Sequence, residues 1–270
     1  MIKRLLSFAS FFSYVPTSEG FFQFLGSIFV SNKYLREGRR MLLHLRRKRY
    51  GVIHFIGTAP SLDLHETLGQ ISSDDLVILC NRGYRLAPSF EGKNVLYLFF
   101  DKNISMDREI DHLPESWVKF CGFGCYSSKL AKKGFHFLND NGRLYSLQQK
   151  YNIFRSINVG VDRQARIGVV SYSDALEHAI CAHYTIAFGA LQIAGSLKTS
   201  KFVLHGCDFE FSANVQNSYA AGIYNEADVQ DLQGKSQSDK MVATCKFGIE
   251  CLIQDGISFQ NGSSRSKFVL

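Results

Sequence analysis

From residue 51 onward the chain alternates between short apolar runs and segments of helical spacing, and few folds accommodate that alternation. "GVIHFIG" (51–57), "DLVILCN" (75–81) and "NVLYLFFD" (94–101) are runs of Val, Ile, Leu and Phe with few polar interruptions. Strands apolar on both faces belong in a sheet covered on both sides, which is the habit of parallel strands. "DLHETLGQI" (63–71) reads as a short helix between the first two, and "WVKFCGFG" (117–124) as a fourth strand. A helix is expected near 126–133, with loops through the rest of 125–170. "SDALEHAICAHYTIAFGALQIAGSL" (173–197) reads as one long apolar helix with small residues on one face, capped by Ser173 or Asp174. "SKFVLHGCDF" (200–209) is a strand, 212–238 a polar loop rich in Asn and Gly, 239–256 a helix closed by glycine, and 257–262 a last strand. Strands alternating with helices predict an α/β domain built on a mostly parallel sheet.

The first fifty residues have another character. Residues 1–49 carry ten Lys/Arg against Glu19 and Glu37, while the rest of the chain has 21 basic and 22 acidic residues. The basic character of the protein therefore resides in this segment. It also holds "LLSFASFFSYV" and "FFQFLGSIFV", each shorter than the roughly 20 residues that span a bilayer. Two readings stand. The segment lies on an anionic membrane surface, with its apolar side chains in the headgroup boundary and its cations over the lipid phosphates. Alternatively, it is a helix packed on the main domain with a solvated basic face. The boundary falls near Tyr50-Gly51, dividing a 1–50 extension from a 51–270 domain. No recognised nucleic-acid-binding module accompanies the charge.

Seven cysteines stand at 80, 121, 125, 181, 207, 245 and 251, several inside apolar runs. That is the distribution of buried thiols in a reducing compartment. Cys121 and Cys125 have no second Cys/His pair at zinc spacing, so no metal site is expected.

In a parallel sheet, ligands collect at the carboxyl ends of strands, and three such ends carry polar residues. Gly57-Thr58-Ala59-Pro60-Ser61 is a tight turn in which Gly57 permits close backbone approach and Ser61 can cap the next helix. Cys80-Asn81-Arg82-Gly83 offers an amide that both donates and accepts, which suits a base or sugar. His205-Gly206-Cys207-Asp208-Phe209 ends in a carboxylate suited to ribose hydroxyls. Walker and dinucleotide glycine patterns are absent, as is a G-x-S-x-G elbow.

In order, "GTAPSL", "LCNRGY" and "HGCDF" resemble the Campylobacter-type bacterial sialyltransferases, with their G-x-G-P-S-L turn, strand ending Cys-Asn and strand ending Ser-Gly-Ile-Asp-Phe. "HYTIAFGALQIAGSLKTSKFVLHGCDF" (183–209) is more similar to the lipopolysaccharide-core Kdo transferases. The resemblance covers about 50–262. It implies a single nucleotide-binding domain, a sialyltransferase-like variant of the glycosyltransferase A architecture. The implied activity is metal-independent transfer of Kdo from CMP-Kdo to a lipopolysaccharide or lipooligosaccharide core acceptor. It would take place at the cytoplasmic face of the bacterial inner membrane, with no cofactor beyond the CMP-sugar co-substrate. Two alternatives remain: transfer of sialic acid from CMP-sialic acid to a surface glycan, or a non-catalytic nucleotide-binding homologue.

The resemblance also implies site residues. Gly57, Thr58 and Ser61, with the start of the 173–197 helix, would face the donor phosphate, and Pro60, Arg82 and Thr185 would complete the donor-binding set. Asn81 and the Gly206, Cys207, Asp208, Phe209 corner would hold cytidine, and 212–238 would be a mobile lid. The sequence departs from the sialyltransferase pattern in two places: Thr58 stands where they have Asn, and the lid stretch "LQGKSQSDK" (232–240) lacks their general-base His. Transfer still requires a base near the acceptor hydroxyl and donors for the departing phosphate. His183, with Glu177 and His178 nearby, is the first candidate base, ahead of His65 and His205. A core histidine is the alternative reading of His183. Lys235 would neutralise phosphate on closure.

Overall fold

The computed structural model describes residues 18–139, 154–161, 167–173, 180, 185–208 and 238–264. Among them, seven parallel strands form one sheet: β1 (Val52–Ile56), β2 (Leu76–Cys80), β3 (Asn94–Phe99), β4 (Val118–Gly122), β5 (Phe135–Leu138), β8 (Lys201–His205) and β9 (Ser258–Asn261). Two more, β6 (Phe154–Val161) and β7 (Ile167–Ser173), pair as a separate antiparallel hairpin. Among the described residues the helices are α1 (Ser18–Lys48), α2 (Leu64–Gly69), α3 (Lys102–Ser105), α4 (Ser128–Lys132), α5 (Ile186–Leu197) and α6 (Ser238–Gln254). The expected α/β domain with a parallel sheet is what the chain forms.

The strand order is β5-β4-β3-β2-β1-β8-β9. The chain steps outward from β1 to β5, then returns to lay β8 along the other side of β1. His54 thus pairs with Val77 on one flank and Val203 on the other. The direction of winding reverses between β1 and β8, and in open parallel sheets that reversal opens a crevice at the strands' carboxyl ends.

Side chains alternate along each strand and so build two cores. Ile53, Phe55, Leu96 and Phe202 point to the face covered by α5 and α6. Ile56, Val77, Tyr97 and Phe137 point to the opposite face, beneath α2, α4 and the 3-10 segment Asn81–Phe90. Small residues let the helices sit close. A Cβ on Gly189 of α5 would meet the Phe100 ring at 2.8 Å, and one on Gly248 of α6 would meet Leu191 at 2.8 Å.

Two expectations are corrected. The helix expected over 173–197 is described only from Ile186, because Ser173 closes β7 and Thr185 is the cap, its Oγ1 accepting the Ala187 N–H at 3.3 Å. The 125–170 stretch, expected to be loops beyond a helix near 126–133, contains β5, β6 and most of β7 as well as α4. Its strands were missed because they are short or carry polar residues, as in "FRSINVGV".

The last four turns of α1 pack on the domain. Leu42 and Leu45 are buried in the α5 face of the core. Tyr34 lies against Tyr126 and Phe137, and a Cβ on Gly38 would meet the Phe137 carbonyl oxygen at 2.2 Å. The opposite side of this stretch exposes Arg39, Arg40, Leu43, Arg47 and Lys48. Among the described residues, no helix is long and apolar enough to cross a membrane. The six described cysteines are buried thiols.

Candidate functional site

The carboxyl ends of β1 and β8 are laced together. The Gly57 N–H donates to the His205 carbonyl at 2.8 Å, and the Ala59 N–H to the Gly206 carbonyl at 2.9 Å. The Ser61 N–H donates to Asp208 Oδ2 at 3.2 Å. Glycine is needed at 57 because a Cβ there would meet the Gly206 oxygen at 2.2 Å and Cys207 Sγ at 2.4 Å. The close approach anticipated at Gly57 is therefore to the neighbouring turn. Gly206 itself sits at φ +58, in the left-handed region that glycine occupies without strain. Its N–H donates to Ser263 Oγ at 2.7 Å.

This lacing changes the reading of the first turn. The N–H groups of Gly57, Ala59 and Ser61 are committed to the β8 turn, and Pro60 has none. Ser61 does not cap the helix that follows. Asp63 is the cap, its Oδ1 accepting the Glu66 N–H at 3.0 Å.

At the end of β2, Asn81 holds φ +48, a conformation that Asn tolerates better than most residues. Its carbonyl accepts the buried Tyr97 hydroxyl at 2.8 Å, which fixes the backbone there. Arg82 follows, and Gly83 lies near Thr58, whose Cγ2 would stand 4.0 Å from a Cβ at 83. The turns after β1 and β2 are thus neighbours too.

Three side-chain oxygens at these strand ends are buried and, among the described residues, have no hydrogen-bond partner: Ser61 Oγ, Asn81 Oδ1 and Asp208 Oδ1. An unmet buried polar atom costs about 1–3 kcal/mol, so these three strand-end oxygens are sites where a ligand's donors would be favoured. Two of the three accept only, so that ligand must bring O–H or N–H donors. Nucleoside hydroxyl and amino groups do so, whereas an ionised phosphate does not.

Thr185 lies at the start of α5, where its side chain serves as the helix cap. Cys207 is buried, and burial pushes its thiol pKa well up, so it is a packing residue and not a nucleophile. His65 is exposed on α2, and His205 is fully buried beneath the turn. Glu177, His178, His183, Phe209 and Lys235, with 212–237 of the expected lid, lie outside the described residues. Among those described, no group of three or more His, Cys, Asp or Glu side chains is placed to hold a metal ion.

Sequence reading missed two contributors. Ser263 holds Gly206 from beyond β9. His54, in the middle of β1, touches both Asp75 and His205. Its only signal was a polar residue inside the apolar run "VIHFI".

No protein-family model matches the chain, and no curated protein matches it. Among solved structures it is similar to the Campylobacter jejuni sialyltransferase CstII in complex with the substrate analogue CMP-3FNeuAc, with 14% identity over 81% of this chain and 85% of that one, at a TM-score of 0.45. It is also similar to the monofunctional α-2,3-sialyltransferase Cst-I from the same organism, with 13% identity over 81% and 78%, at a TM-score of 0.46. Likeness at this level assigns no family, and the function is argued from the site itself.

Proposed function

We propose that this chain is a glycosyltransferase that uses a CMP-activated acidic sugar. The observation that carries the reading is that Ser61 Oγ, Asn81 Oδ1 and Asp208 Oδ1, at the carboxyl ends of β1, β2 and β8 around the reversal point of the sheet, are buried without a hydrogen-bond partner among the described residues. Ribose hydroxyls would satisfy Asp208 and Ser61, and the amino group of the base would satisfy Asn81. The leaving phosphate would then lie toward Arg82 and the start of α5. Commitment of the Gly57, Ala59 and Ser61 N–H groups to the β8 turn supports that placement. The "GTAPSL", "LCNRGY" and "HGCDF" motifs support cytidine as the nucleoside.

Departure of CMP develops positive charge on the sugar ring and negative charge on phosphate. The protein must stabilise the phosphate and remove a proton from the acceptor hydroxyl. His183 is the proposed base, with Glu177 and His178 beside it in sequence, and Lys235 the proposed phosphate partner. Kdo is the preferred donor because the 183–209 stretch fits that family best, and a lipid-linked core oligosaccharide is the preferred acceptor. The outward basic face of α1, with Leu43 at its centre, supports docking at the anionic inner surface of the membrane that would carry such an acceptor.

Calorimetry with CMP, with and without EDTA and with ATP as control, tests the reading. Binding of CMP that survives EDTA, with no heat from ATP, is the expected result, and a comparison of CMP-Kdo with CMP-sialic acid then identifies the donor. Absence of CMP binding would end the proposal.

A further inference from the structure

Beneath the two laced turns runs a chain of buried polar side chains that no part of the proposed chemistry uses. His54 Nδ1 lies 3.0 Å from His205 Nε2, and His54 Nε2 lies 3.3 Å from Asp75 Oδ2. Thr67 Oγ1 stands 3.5 Å from His205 Nδ1. His54 and Thr67 are 2% exposed, Asp75 7% and His205 0%. Asp75 is anchored in turn, because its Oδ2 also accepts the Ser72 N–H at 2.8 Å and the Ser72 hydroxyl at 2.6 Å.

Chemistry fixes the direction of every bond. An ionised carboxylate only accepts, so His54 carries its proton on Nε2. The Nδ1 of a neutral His54 must then accept, so His205 donates from Nε2. The Nδ1 of His205 is left to accept from the Thr67 hydroxyl. The protons therefore point one way, from Thr67 through His205 and His54 to Asp75, and each ring orients the next.

The chain ends where the site begins. His205 is the last residue of β8, its carbonyl takes the Gly57 N–H, and the next carbonyl takes the Ala59 N–H. Its ring packs against Gly262, where a Cβ would meet Cε1 at 2.4 Å. The Gly262 N–H is bonded to Leu204 and the neighbouring Ser263 to Gly206.

We infer that His54 and His205 are positioning residues: their one-way hydrogen-bond chain to Asp75 sets the β8 turn and, through it, the placement of Ser61 and Asp208. The inference rests on the proposed nucleoside site only for its binding readout.

Long-range proton–nitrogen NMR of the full chain at neutral pH tests the chain itself. The expected result is both rings neutral with the proton on Nε2. Either ring protonated on Nδ1, or a charged ring, overturns the inference without any variant. The second arm compares His205→Gln, whose terminal amide keeps a donor near the Nε2 position, with His205→Leu, which does not. The amides of Gly57, Ala59 and Ser61 should exchange with deuterium at wild-type rates in the Gln variant and ~10-fold faster or more in the Leu variant. CMP affinity should follow the same pattern, with a ~10-fold loss for Leu and rescue by Gln. Equal protection and equal affinity in both variants would overturn it. Should the Leu variant fail to fold, the Gln variant and the wild-type ring spectra still decide. Should the wild type bind no CMP, the nucleoside reading falls, while the ring spectra and the exchange rates still decide the chain.

Discussion

Replacing His205 with Gln should change how stability depends on pH. Burial, with the His54 ring beside it, pushes the His205 pKa down from 6.5 to about 4. Burial also lowers that of His54, against the pull of the Asp75 carboxylate, with Lys201 and Lys93 adding to the lowering. Between pH 6.5 and 4 the unfolded chain binds a proton at position 205 that the folded chain refuses. Folding stability therefore rises with pH across this window. The contribution is fully present above about pH 6.5 and is lost as the pH falls toward 4. A separation of this size is worth about 3 kcal/mol. His205→Gln removes the titrating group and leaves Asp75, Lys93, Lys201 and Thr67 in place. Urea unfolding of both proteins at pH 7, 5.5 and 4 provides the comparison. The wild-type advantage at pH 7 should shrink by about 3 kcal/mol by pH 4, or reverse. A difference between the two proteins that stays constant across the range would refute the reasoning, because it would mean the folded protein protonates His205 as readily as the unfolded chain does.

Gly57→Ala should lower stability by about 1–3 kcal/mol, since the new methyl meets the Gly206 oxygen and Cys207 Sγ with no room to yield; thermal unfolding checks it. Asp208→Asn keeps an oxygen for the Ser61 N–H but puts an N–H donor where the site offers an acceptor. CMP affinity should fall ~10-fold or more, with the melting temperature within about 2 °C of wild type. His183→Ala should reduce transfer from CMP-Kdo at least ~100-fold with folding intact, measured as CMP release; unchanged turnover would remove His183 as the base. Arg39→Glu combined with Arg40→Glu should weaken binding to vesicles containing phosphatidylglycerol by ~10-fold or more and leave unfolding unchanged, since both residues are exposed. Equal binding to neutral and anionic vesicles would argue that the basic face is merely solvated.

What the sequence determined by itself was local. A strand buried on both faces must be apolar along its length, so "VIHFI", "LVILC" and "NVLYLF" announced β1, β2 and β3 almost to the residue. The small residues of "IAFGALQIAGSL" announced a helix pressed close to its neighbours, and Gly189 against Phe100 is the physical reason. The polar strand ends at 57–61, 81–83 and 205–208 were legible because polar residues are costly at the end of a buried strand unless something needs them. Partnership across the sheet was not legible. Nothing local says that β8 returns to lie beside β1, and only that return brings the two turns together. It also decided that the amides of Gly57, Ala59 and Ser61 serve the neighbouring turn. The same return carried His205 to His54, from 151 residues away, and turned two isolated histidines into one chain. Periodicity and turn chemistry are properties of neighbouring residues. Hydrogen-bond partners across a parallel sheet are chosen by the path of the whole chain.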